Sequence, residues 1–150
     1  MREALPGGTR TGVPMRMHFE IEGGDFTAAG RASSEVKKTL KQFNIPPEVL
    51  RKVAIALYEA EMNVVAHAWS GTMDAEILPD GINVVMEDKG PGIEDIERAM
   101  EEGFSTATEE VRQMGFGAGM GLPNIRKNSD RMVLTSTPGV GTRLEITVAF

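Results

Sequence analysis

At 150 residues, with 41% apolar and 25% charged residues, the chain has the length and balance of one soluble globular domain, which excludes a disordered or fibrous protein. The absence of cysteine excludes disulfides, thiolate metal sites and thiol nucleophiles, and two histidines are too few for most zinc sites. A net charge of -6 argues against nucleic acid as a partner, because that affinity rests on clustered Lys and Arg.

Residues 1–14, with little apolar content, read as a flexible tail, and residues 15–150 as a single domain. No apolar run reaches the roughly 18 residues of a membrane span, and the start of the chain lacks a signal-peptide stretch, so a cytoplasmic protein with no membrane partner is expected. Met15 to Ile21 alternates apolar and polar residues, the pattern of a half-buried strand that Gly23-Gly24 would end. Asp25 can cap a helix reaching about Phe43, with Phe26, Ala29, Val36, Leu40 and Phe43 roughly on one face. Pro46-Pro47 stops it and starts a second helix over about Pro47 to Trp69, striped by Val53, Leu57, Ala60, Val64 and Ala68 and closed by Gly71.

Met73 to Leu78 and Ile82 to Glu87 then form a hairpin across Pro79-Asp80-Gly81. Glu94 to Glu101 reads as a short helix, Gly103 to Gly121 as a mobile loop, and Leu122 to Asp130 as a further helix. A second hairpin pairs Arg131 to Ser136 with Thr142 to Phe150 across Pro138 to Gly141. Strands and helices are segregated more than they alternate. This favours an α+β fold, a two-layer sandwich with a mixed, mostly antiparallel sheet and helices on one face.

Three segments can carry chemistry. Glu59 and Asn63, four residues apart, lie one above the other on a helix, and His67 extends the line. Asn offers a carbonyl oxygen suited to Mg²⁺ and Glu can accept a proton, two tasks that phosphoryl transfer needs side by side, although on spacing alone a solvated helix face is the commoner reading. Asp88-Lys89-Gly90-Pro91-Gly92 ends a strand in a turn whose glycines admit a ligand close to the backbone; a carboxylate there can accept from the exocyclic amine of adenine, and a plain turn is the competing reading. Gly115, Gly117, Gly119 and Gly121 alternate with other residues just before a helix, exposing backbone N–H groups to phosphate. That stretch has neither the GK[ST] ending of a P-loop nor the surrounding parallel strand-helix-strand unit of a Rossmann motif.

Taken in order, these segments resemble the N, G1 and G2 boxes of the GHKL (Bergerat-fold) ATP-binding superfamily, and Gly139-Val140-Gly141-Thr142 resembles its closing G3-type turn. Within it the compact length and the acidic residue four before the asparagine are most similar to the anti-sigma regulatory serine kinases. The resemblance implies Mg-ATP or ADP as ligand, Asn63 as the Mg²⁺ ligand, Glu59 as the base toward a substrate serine, and Asp88 with Thr142 at the adenine. It implies a STAS-domain partner and phosphoryl transfer to it, with sigma-factor binding by a non-catalytic, nucleotide-controlled module as the alternative; a homodimer is left open. Glu61, two residues from Glu59, reads as a solvated charge, His67 as a packing or capping residue, and Arg112 as a solvated charge, with approach to the γ-phosphate under a closing lid as the less common alternative.

Overall fold

The structure, a computed structural model, describes residues 14–101 and 121–150. Strands β1 (Met15–Glu22), β2 (Ser70–Leu78), β3 (Gly81–Lys89), β4 (Arg131–Thr137) and β5 (Gly141–Ala149) form one five-stranded sheet in the order β1-β2-β3-β5-β4. Every neighbouring pair among the described residues is antiparallel, in line with the expected mostly antiparallel sheet. Tight turns join β2 to β3 and β4 to β5, and a hairpin permits only antiparallel pairing.

Helices α1 (Arg31–Leu40), α2 (Pro47–His67) and α4 (Gly121–Lys127) cover one face, while α3 (Ile96–Ala99) is a single turn capped by the Asp95 carboxylate, which accepts from Arg98 N–H at 3.1 Å. The core lies between the layers. Val36 and Leu40 of α1, Val53, Leu57 and Val64 of α2, and Ile125 of α4 bury against Met73, Val84, Met86, Leu144 and Ile146 of the sheet. Burying a side chain of this kind contributes roughly 1.5–3 kcal/mol. Strand residues of the opposite parity, such as His18, Asp74, Glu87 and Arg143, form the polar outer face, so the alternation seen in the sequence is the pleat of the sheet.

Two expected boundaries are corrected. Asp25 caps only a turn, its carboxylate accepting from Thr27 Oγ1 at 2.7 Å and Ala28 N–H at 3.3 Å; the helix starts at Arg31, after Gly30 takes φ 93°. It also stops at Leu40, which leaves Phe43 44% exposed outside the helix. Gly71 does not close α2. Ala68 is already extended, Trp69 N–H donates to Lys89 O at 2.8 Å, and Gly71 lies inside β2, opposite Asp88. The pull of the β3 edge ends the helix before its glycine, a tertiary effect that local residue preference does not contain.

The largest correction concerns Glu61. It is 2% exposed, and its carboxylate accepts from the backbone N–H groups of Gly30 at 3.0 Å, Ala32 at 3.2 Å and Ser33 at 2.8 Å. These are orphan donors of the first turn of α1, whose own N-cap glycine supplies no side chain. Glu61 therefore caps α1 from α2 and is not a solvated charge. The two helices are locked together beside the site.

Candidate functional site

At one end of the sheet the inner-face positions of four adjacent strands form a polar row, Gly71, Asp88, Thr142 and Ser136, just past the apolar row Met73, Met86, Leu144 and Leu134. Thr142 N–H donates to Asp88 Oδ1 at 3.1 Å, which leaves Oδ2 without a hydrogen-bond partner among the described residues. Burial pushes the Asp88 carboxyl above the usual carboxylate range, and the Thr142 N–H works against that shift. The Ser136 hydroxyl lies 2.8 Å from Thr142 Oγ1 and accepts from Ile93 N–H at 2.8 Å.

Glycines let the backbone close around this row. A Cβ on Gly141 would overlap Asp88 O, and one on Gly90 would come within 2.9 Å of the Ala68 Cα. Gly92 has φ 72°, a region that L side chains rarely adopt, and Gly139 N–H, at φ 79°, donates to Pro91 O at 2.7 Å. The Gly90 to Gly92 turn is thereby held against the β4–β5 hairpin.

The second wall comes from α2. Glu59 and Asn63 both face α4, as their i, i+4 spacing predicts. Asn124 Nδ2 donates to Glu59 Oε2 at 3.4 Å, and Asn63 Oδ1 lies 3.0 Å from the position a Cβ on Gly121 would take. A side chain at position 121 would press on the Asn63 amide, which would have to give way by a few tenths of an ångström. His67, one turn further, is partly buried, and burial holds its imidazole below the usual histidine range, in keeping with a packing role.

The structure thus gathers Asp88, Gly90, Gly92 and Thr142 at one end of the sheet, where Gly90 packs on Ala68 at the end of α2, and sets Glu59, Asn63 and Gly121 together where α2 meets α4. Gly115, Gly117, Gly119, Arg112 and residues 103–120 of the loop expected over Gly103 to Gly121 lie outside the described residues, and Gly121 itself opens α4. An open cleft of about 360 Å³ beside β1, lined by Phe19, Ile21, Asp25, Arg31 and Val65 among others, contains none of the predicted site residues. Ser136 and Asn124 are the members that sequence reasoning missed. A serine in a strand and an asparagine in a short helix have no spacing signal of their own.

The antiparallel sheet with helices on one face, and a polar row walled by an Asn-bearing helix and glycine turns, define the class: residues 24–148 match the family described as histidine kinase-like ATPase domain, and the chain belongs to it. Among curated relatives it is 34% identical over 98 residues, 63% of this chain and 68% of the relative, to the serine/threonine-protein kinase RsbT of Bacillus subtilis. It is 36% identical over 105 residues, 67% of this chain and 70% of the relative, to the anti-sigma F factor of Caldanaerobacter subterraneus subsp. tengcongensis. The chain is therefore related to the anti-sigma kinases of the family, as its boxes led one to expect. A solved chain in the SiaB–SiaC complex from Pseudomonas aeruginosa shares the fold, with TM-score 0.56, 12% identity and 89% of each chain covered. No helix among the described residues is long and apolar enough to cross a membrane.

Proposed function

We propose that the chain is an ATP-binding switch serine kinase that moves the γ-phosphate of Mg-ATP to a serine of a STAS-type regulatory protein in the cytoplasm. The observation that supports this reading is the convergence of Glu59 and Asn63 on α4, with Val64, the next residue of α2, lying against Gly71 of the row that holds Asp88 and Thr142. Asp88 Oδ2 accepts from the adenine amine, and Thr142 supports the base. Gly90 and Gly92 let the backbone approach it, and Gly121, with Gly115, Gly117 and Gly119, offers backbone N–H groups to the phosphates.

Among the described residues no cluster of three or more His, Asp or Glu side chains could hold a metal unaided. Mg²⁺ suits this arrangement, since it keeps several waters and is held through one or two protein oxygens plus phosphate. Asn63 Oδ1, a neutral oxygen facing a glycine, fits that role. Bound there, Mg²⁺ supplies charge neutralisation at the phosphates. Glu59 takes the proton of the substrate serine as its Oγ bonds to the γ-phosphorus; the bond from that phosphorus to the bridging oxygen breaks, and ADP leaves.

The anti-sigma F relatives favour a second reading, in which the chain binds ATP or ADP and sequesters a sigma factor or signalling complex without transferring phosphate. Retention of partners from the source cell under Mg-ATP and under Mg-ADP, followed by a phosphosite search, separates the two. Phosphoserine on a retained partner supports the kinase. A partner held in one nucleotide state but never phosphorylated supports the module.

Asp88→Asn is expected to weaken ATP binding by about 1.5–3 kcal/mol, roughly 10- to 150-fold. The reason is donor against donor: one face of the side chain meets Thr142 N–H and the other the adenine amine, so the Asn amide nitrogen opposes a donor whichever way it turns. The fold should not suffer. A raised carboxyl pKa means that the folded state prefers the protonated form, so Asp88 contributes stability at low pH and loses it as pH rises through the raised value. ATP affinity should run the opposite way, full above that pKa and falling as pH drops through it, and the variant should lose this dependence. Calorimetry across pH that finds parental affinity in the variant would refute the assignment.

A further inference from the structure

Ser136 occupies the end of the polar row on the edge strand β4, paired with Thr142 of β5. Its hydroxyl meets three groups from two segments, the turn at Ile93 and the start of β5. It accepts from Ile93 N–H at 2.8 Å, lies 2.8 Å from Thr142 Oγ1, and can donate to Gly141 O at 3.1 Å. Ile93 directly follows Gly92, so this oxygen ties the turn after Asp88 to the start of β5. Asp88, by contrast, takes the Thr142 N–H from one neighbouring strand and nothing else among the described residues.

Proton bookkeeping at this oxygen shows what it can control. A serine hydroxyl has one proton and two lone pairs, and one lone pair is occupied by the Ile93 N–H. If the Ser136 proton goes to Gly141 O, Thr142 donates to Ser136 and presents lone pairs alone to the site. If it goes to Thr142 Oγ1, Thr142 keeps its own proton for a ligand acceptor. N1 of adenine is an acceptor, whereas N1 of hypoxanthine carries a hydrogen and its position 6 carries a carbonyl in place of the amine. The two hydroxyls, with Asp88 Oδ2, can therefore match the amine donor and N1 acceptor of adenine directly or through water; hypoxanthine sets its carbonyl against the Asp88 oxygen and needs the other arrangement of the two hydroxyl protons.

We infer that Ser136 is a positioning residue of the base end of this site, setting selectivity for adenine through Thr142 and the Gly92–Ile93 turn. This rests on the nucleotide reading of the site. The test is calorimetric titration of the full chain with Mg-ATP and Mg-ITP, which share their phosphates and differ in the base, for the parent, Ser136→Ala and Ser136→Thr, each also followed by thermal unfolding.

The parent is expected to prefer ATP. In Ser136→Ala, ATP affinity falls about tenfold, the loss of one site hydrogen bond, while ITP affinity moves much less, so the preference narrows by nearly that factor, the part due to Asp88 remaining. Ser136→Thr, which keeps the hydroxyl, restores it. Equal losses for ATP and ITP in Ser136→Ala, or an unchanged preference, overturn the role of Ser136 while leaving the ATP site intact. A folded parent that binds neither nucleotide overturns both the site and this inference. If Ser136→Ala does not fold, the threonine variant decides: a lost preference despite a folded protein and a retained hydroxyl also counts against the role.

Discussion

Glu59→Gln is expected to bind Mg-ATP with an affinity within about twofold of the parent while phosphoryl transfer to serine falls by about 10²- to 10⁴-fold. Glutamine keeps the length of glutamate and one carbonyl oxygen, so the contact that Asn124 Nδ2 makes with Glu59 Oε2 at 3.4 Å can be kept by an amide turned oxygen toward α4. What it cannot do is take a proton from an attacking hydroxyl. Asn63→Ala should behave differently, weakening nucleotide affinity and turnover together, because it removes the oxygen that faces Gly121 and with it the proposed Mg²⁺ contact. Single-turnover transfer of γ-labelled phosphate to the retained partner, beside calorimetric ATP titration, reads both quantities. Parental transfer by Glu59→Gln would remove Glu59 from the chemistry.

Glu61→Ala is expected to destabilise the protein by about 3–5 kcal/mol, lowering the midpoint of thermal unfolding by about 6–20 °C. The carboxylate serves three backbone donors in a place that is 2% exposed, and an alanine there leaves them without a partner. A buried donor left unsatisfied costs about 1–3 kcal/mol, partly recovered where water enters. Glu61→Gln should cost less but still measurably: its amide nitrogen must face either Ser33 N–H or the Gly30 and Ala32 pair, which replaces an attraction by an opposition of donors. Urea unfolding of the three proteins gives the comparison. Stability of Glu61→Ala within about 0.5 kcal/mol of the parent, the range of an ordinary surface substitution, would mean that the helices are not locked through this side chain.

Local rules acted at the strands, the second helix and the turns, and there the sequence was enough to place them. The alternation from Met15 to Ile21 became β1, Pro47 started α2, and the Pro79-Asp80 and Pro138 to Val140 turns joined hairpins. The facing of Glu59 and Asn63 toward one wall was equally legible, since four residues is about one helical turn whatever surrounds the helix. The glycine turns at Gly90 and Gly92 could be read because close backbone approach and positive φ restrict the residue type at the position itself.

The tertiary structure alone decided whether Glu61 was a solvent charge or a buried cap, where α1 began, and that Ser136 joined the polar row. Each depends on groups far along the chain: Glu61 meets Gly30 across 31 positions, and Ser136 meets Ile93 across 43. A glutamate two residues from Glu59 points away from it by the helical period, and that period alone does not say whether the side so chosen meets water or another helix. Local pattern determines which way a side chain faces on its own element. Burial and hydrogen-bond partners belong to the packing between elements, which is where this protein acquired its locked helix pair and the shared hydroxyl at the end of its sheet.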